Sequence, residues 1–284
     1  MFVFAAILYW IDRYEKEPKR LLIGAFVWGA AISAGFAFIL NTFFGIGIYL
    51  VTGSEIFTEI TTSSLVAPPV EETLKGLAVL LVFLAFHNEF DSTLDGIIYA
   101  GITALGFAAT ENVYYIYNYG YLESGFTGLM WLTFVRVFLV GWQHPFYTAF
   151  IGIGLSQARL NRSPMMKILL PIIGWSFAVG THATHNAIAS LFSGTGGLII
   201  GTILDWLGWS VMIAIIIWAL YREKQWIKNY LADEIALETI SQSQYDVACS
   251  ALSQGQARLN ALFSGHYRST KRFYQLCAEL AYKK

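Results

Sequence analysis

Leu65–Phe86 reads LVAPPVEETLKGLAVLLVFLAF, and the fold follows from what that stretch combines. As a helix it is long enough to cross the roughly 30 Å of a bilayer's hydrocarbon core. It nevertheless carries Glu71, Glu72 and Lys75. Charges inside a lipid-length helix are costly, so they face the interior of a bundle and mark a working site. Leu65–Phe86 is therefore a membrane span with a polar face, and other spans must shield that face.

Composition supports the same reading. Hydrophobic residues make up 56% of the 284 and charged residues 13%, against about 25% charged in an ordinary soluble domain. Apolar runs predict spans near 1–11, 21–40, 65–86, 93–117, 127–157, 168–192 and 199–220. The first is short for a span, so it is either half of a helix or the end of a truncated one. It lacks the basic flank and small-residue site of a cleaved signal peptide. Segment 41–51 is too short to cross and extends the second helix or lies at the interface. The expected fold is an all-α polytopic membrane protein with about seven transmembrane helices and a cytoplasmic helical tail.

Orientation follows from Lys and Arg. Arg13, Lys16, Lys19 and Arg20 fall in the first loop, Arg159, Arg162 and Lys167 in the fifth, and nine more after Tyr221. The loops at 41–64, 118–126 and 193–198 have neither residue type. The positive-inside rule then places the amino terminus outside and the tail in the cytoplasm. Both cysteines, Cys249 and Cys277, lie in that tail, which argues against a structural disulfide. The net charge is −1, and no nucleic-acid partner is expected; the lipid bilayer is the partner composition demands.

Residues 1–221 read as the membrane domain and 222–284 as a separate helical tail. The tail's apolar positions Trp226, Tyr230, Ile235, Leu237 and Ile240 suggest an amphipathic helix. It continues through Ala251–Phe263, breaks near Gly265 and resumes around Arg272–Leu280.

The remaining chemistry sits in FAATE (107–111), QHPFYTA (143–149) and HATHN (182–186). Glu71 and Glu72 both fall within reach of Lys75 along one helix. One lysine cannot neutralise two adjacent carboxylates, which leaves one as a general base or acid. Counted from the outer helix ends, Glu71, Glu111 and Asn186 each lie seven residues in, about 10 Å below the surface, so they can meet at one depth. Asn112 is placed to bond Glu111. His182 and Asn186 share a helix face and offer two donors to a developing oxyanion. Arg136 should pair with a glutamate or reach the headgroups. Alternatively, Glu111, His144, His182 and His185 form a metal set, zinc being the natural ion. HExxH, GxSxG and GxGD are all absent, so Glu and His are the reactive types left.

Four motifs in order, EETLK (EExxK), FAATE (FxxxE), His144 in HPxxTA and HATHN (HxxxN), together with DRYEKEPKR at 12–20, resemble the PrsW-type intramembrane protease family. This family is a branch of the superfamily of CAAX prenyl endopeptidases and bacteriocin-immunity proteins. The resemblance covers about residues 1–220. It implies a polytopic protease of a prokaryotic cell membrane, named as metal-dependent, though its relatives are argued to be glutamate proteases. It also implies a membrane-anchored protein substrate, such as an anti-sigma factor, cut on the extracytoplasmic side. On that basis Glu71 and Glu72 are the base pair, Lys75 their charge partner, and Glu111 fills a position where the CAAX branch has histidine. His182 and Asn186 are then the oxyanion donors, and His144 supplies the missing imidazole. The competing readings are a proton- or cation-coupled transporter using the same groups as a relay, and an inactive scaffold of the same fold.

Overall fold

A computed structural model of the chain describes residues 1–192 and 194–284 and contains no strand among them. Four helical runs are long and apolar enough to cross a membrane: Lys19–Thr52, Thr93–Leu160, Pro164–Leu191 and Thr195–Ala236. Two of the seven expected segments differ in kind. The first helix, α1 (Phe2–Ile11), has only 10 residues, and α5 (Ala67–Ala85) has 19 but holds three ionisable side chains.

The first long run is α2 (Lys19–Val27), a π-helical turn over Trp28–Ser33, and α3 (Ala34–Thr52). It absorbs 41–51 and stops at Gly53, whose φ of 66° suits a left-handed helix end. A short helix, α4 (Glu55–Thr61), then leads through the π-helical Thr62–Val66 into α5. Pro68 and Pro69 fall at the amino-terminal turn of α5, where missing N–H groups cost least.

The 68-residue run Thr93–Leu160 is not one rod. It holds α6 (Thr93–Tyr115), α7 (Leu122–Thr133) and α8 (Gln143–Leu160). The chain reverses inside α7 at Gly125, with φ 60° and ψ −144°, a conformation open essentially to glycine alone. A second break at Val140–Trp142 admits α8. Helices α6 and α8 then pack antiparallel: a Cβ on Gly96 would lie 2.3 Å from the Gly152 carbonyl oxygen. Such glycine contacts let apolar helices approach backbone to backbone where no hydrophobic drive exists between them. Helix α9 (Pro164–Leu191) lies antiparallel to α8, with Gly174 against the backbone of Phe150.

The chain divides into two compact units. The first comprises Met1–Leu8 and Pro18–Ile213; the second comprises Tyr9–Glu17 and Ala214–Lys284. The long α10 (Thr195–Leu231) supplies residues to both. The second unit has its own core of Tyr14, Ile227, Leu231, Ile240, Cys249, Tyr274 and Cys277, with α11 (Gln242–Ala248), α12 (Ala251–Phe263) and α13 (Tyr267–Lys283) around it. The inward register differs from the expected one. Ile227 and Leu231 are buried while Tyr230 and Leu237 face out, and the helix after Gly265 resumes at Tyr267 rather than Arg272. Both cysteines are free and buried.

Candidate active site

The site starts from α5. Helix α5 is held on one side by Trp28 Nε1 donating to the Leu74 carbonyl and on another by Trp175 Nε1 donating to the Thr73 hydroxyl. Its charged residues then turn into the first unit, and Glu72 and Lys75 are wholly buried at 0% exposure.

The lysine chooses one glutamate. Lys75 Nζ lies 2.5 Å from Glu72 Oε1 but 4.0 Å from Glu71 Oε2. Glu72 is further held by Thr148 Oγ1 (2.8 Å) and by His182 Nδ1 (2.9 Å), both donating to it. Burying a carboxylate is tolerable only with this degree of compensation. Above the ammonium lies the Phe107 ring, with Nζ 4.4 Å from its centroid, so the first residue of the FxxxE element also serves the lysine.

Glu71 is the contrasting case. Its Oε1 accepts from Asn41 Nδ2 at 3.3 Å. Its Oε2 is buried and accepts no hydrogen bond from the described residues, the nearest imidazole nitrogen being His182 Nε2 at 3.8 Å. Orphaned buried polar atoms are uncommon and call for an explanation.

A relay continues on the other side of Lys75. Nζ donates to His144 Nδ1 (3.3 Å), which places the ring proton on Nε2, and Nε2 donates to Glu111 Oε2 (2.9 Å). Arg136 Nη2 donates to the same oxygen at 2.6 Å, and its Nε donates to Asn112 Oδ1 at 2.8 Å. Asn112 thus meets Glu111 through Arg136 rather than directly. The guanidinium also lies 4.1 Å over Tyr115.

A cavity of about 870 Å³ opens beside these groups, and Glu71, Glu111, His144, His182, His185 and Asn186 all line it. Glu72 and Lys75 stand behind its wall. Asn186 donates one amide hydrogen to the Ser63 carbonyl (2.8 Å), and one remains. With its Nδ1–H given to Glu72, His182 presents the Nε2 lone pair to the cavity. His185 is drawn elsewhere, its Nδ1 donating to Asp205 Oδ1 at 3.0 Å, while Gln143 Nε2 donates to Asp205 Oδ2 at 2.6 Å.

The donors that could jointly hold a metal are Glu71, His144 and His182, whose ligand atoms lie within 4.8 Å of one another. Of the other residues the sequence suggested for a metal, Glu111 bonds Arg136 and His144, and His185 bonds Asp205. Two imidazoles and one carboxylate match the His₂Glu set of catalytic zinc sites. The Glu71 oxygen without a partner and the His182 lone pair are what such an ion needs, and Glu72 would orient His182 from behind. The residues fit the group.

Sequence reasoning missed Asn41, Thr148, Gln143, Tyr147 and Asp205. Thr148 was inside a quoted motif, and Asn41 is a lone amide in an apolar run; Asp205 had no local signal of its partners.

The residues that build this site fall within a longer match. A family model described as PrsW family intramembrane metalloprotease matches residues 17–220. The chain is similar to proteins named Protease PrsW. It is 37% identical to that of Clostridioides difficile over 115 residues (39% of this chain, 46% of the relative). Identity is 33% over 105 residues with that of Geobacillus kaustophilus (37% and 43%) and 23% over 209 residues with that of Bacillus subtilis (73% and 82%). The chain spans less than half the length of the first two relatives. No solved structure matches it. With all four motifs inside the matched span, this membrane protein belongs to the PrsW family of intramembrane metalloproteases.

Proposed function

We propose that the chain is an intramembrane endopeptidase that hydrolyses a peptide bond of a membrane-anchored protein near the extracytoplasmic face. The observation that carries this reading is the Glu71 carboxylate, which lines the cavity beside His182 with one oxygen held by Asn41 and the other buried and given no hydrogen bond by the described residues.

Glu71 Oε2 is the base. It takes a proton from water as the water oxygen bonds to the substrate carbonyl carbon. The same proton passes to the departing amine when the carbon–nitrogen bond breaks. Lys75, Thr148 and His182 fix Glu72, and Glu72 fixes the His182 ring so that Nε2 faces the cavity. The second amide hydrogen of Asn186 is available to the carbonyl oxygen as charge develops on it. Glu111 and Arg136 orient His144. Were a divalent cation held instead by Glu71, His182 and His144, zinc being the type that suits them, it would polarise the carbonyl and acidify a bound water, with Glu71 then a ligand rather than the base. To ligate it, His144 would have to exchange one of its two present bonds.

The topology belongs to the same proposal: seven crossings, amino terminus outside, tail in the cytoplasm of a prokaryotic cell (inner) membrane. The reversal at Gly125 supports counting Thr93–Leu160 as two crossings, and α5 spans about 28 Å at 1.5 Å per residue. The substrate class, a membrane-anchored protein such as an anti-sigma factor, is what the resemblance to this family implies, and the depth counted from the helix ends agrees with an extracytoplasmic cut.

The test is cleavage of candidate single-span substrates by the purified chain in liposomes, with and without a chelator. Glu71→Gln should abolish it under either role, and the chelator separates the two: reversible loss makes Glu71 a ligand, and survival leaves it the base. Cleavage that persists in Glu71→Gln defeats the assignment of the base, and cleavage that survives chelation defeats the metal.

A further inference from the structure

A second cavity of about 580 Å³ lies between α9 and α10, lined among others by Gly180, Thr181, Thr184, Ile188, Gly201 and Leu204. It shares Tyr147 and His185 with the catalytic cavity, so these two side chains form the wall between the spaces. We infer that this groove receives the transmembrane segment of the substrate and delivers its unwound backbone past Tyr147 and His185; this rests on the proteolytic reading above.

The lining chemistry selects a helix over other membrane components. Thr181 and Thr184 donate their hydroxyls to the Phe177 and Gly180 carbonyls of their own helix, each at 2.8 Å. The face they present is therefore apolar, with small residues that allow a close backbone approach. From Ser176 to Ile188 the groove wall covers about 18 Å of α9, more than half the hydrocarbon thickness.

The inner end is polar. Asp205 also lines the groove, and it accepts from Gln143, His185 and Tyr147 at 2.6, 3.0 and 3.4 Å. An acyl chain offers this end nothing. A peptide that must unwind to be cut exposes backbone N–H groups that need acceptors inside a membrane, and a carboxylate is the acceptor present. Tyr147 also stacks on His182, with ring centroids 4.8 Å apart at 17°. A segment that displaces Tyr147 arrives directly at the catalytic imidazole.

The test needs no turnover. Full-length Glu71→Gln protein carrying Thr184→Cys is reconstituted in vesicles with a single-span peptide. That peptide has about 20 Leu and Ala residues, one cysteine and a central Gly-Pro pair. A parallel sample carries Phe36→Cys, at a lipid-exposed position on α3. Under mild oxidation the disulfide yield at position 184 should exceed that at 36 about tenfold. Adding Gly180→Phe should return it to the control level; a Cβ there meets nothing within 4 Å, so the side chain has room to start into the groove it is meant to fill. Equal yields at 184 and 36 overturn the groove and leave lipid as its occupant. Cleavage of the same peptide by the wild-type chain reports separately on the proteolytic reading.

Discussion

His182 gives its Nδ1 proton to Glu72 across 2.9 Å, and this bond turns Nε2 toward Glu71. The two adjacent glutamates of EETLK consequently have separate duties, one holding the imidazole and one facing the cavity.

Glu71→Gln should lower cleavage by about 10²–10⁴-fold, the usual loss on removing a general base. Thermal stability should change by less than about 1 kcal/mol, since Oε2 accepts no hydrogen bond and the amide keeps the Asn41 contact. Unfolding in detergent, measured beside activity, checks both. A large loss of stability would mean that Glu71 is structural.

Glu72→Gln should behave in the opposite way. It leaves Lys75 buried without its close partner and should destabilise by about 3–5 kcal/mol. Adding Lys75→Met removes the stranded charge and should recover part of that stability, while activity stays lost because His182 is no longer oriented. If the double variant is no more stable than Glu72→Gln, the buried pair is not the source of the loss.

Arg136→Met and Glu111→Gln should each destabilise by about 1–2 kcal/mol, less than a fully buried pair because both side chains are partly exposed. The double variant should cost clearly less than the sum of the two singles. Additive losses would show that the 2.6 Å contact carries no coupling.

Burial pushes the Asp12 carboxyl from 3.8 up to about 7, although Lys16, Arg258, Lys271 and the Glu17 backbone N–H all favour its charge. Because the folded value is the higher one, this group stabilises the second unit most in acid. Its contribution is lost as the pH rises from about 4 to 7 and is constant above that. Asp12→Asn keeps an oxygen for the Glu17 N–H, 2.7 Å away in the parent, and should flatten the slope. Hydrogen exchange of Tyr9–Glu17 amides between pH 5 and 8 reads the effect. An unchanged slope assigns the pH dependence to another group.

Gly125→Ala should destabilise by about 1–3 kcal/mol, because a Cβ strains the φ of 60° at which the chain reverses. Thermal unfolding measures this, and a neutral result would mean that the reversal tolerates other conformations.

Much of the site was legible because membrane spans make polar residues conspicuous. Glu71, Glu111, His144 and His182 stood out singly, and counting depth from helix ends brought Glu71, Glu111 and Asn186 to one level. Local spacing could not show that Lys75 prefers Glu72, since both glutamates lie within helical reach of it. Nor could it show that Arg136 pairs with Glu111 and Asp205 with His185, since each pair joins two different helices. The tail was the least legible part. Its inward face is set by Tyr14, which lies more than two hundred positions from the helices it packs among.

That burial of Tyr14 has a practical corollary for anyone trimming the protein. A shortened version ending at Tyr221 would look tidy on a hydropathy plot, yet it would strip Ile227, Leu231 and Tyr274 from around a buried aromatic ring. The DRYEKEP stretch would lose the surface it is packed on, and a fall in yield from such a deletion would report on that loss rather than on catalysis.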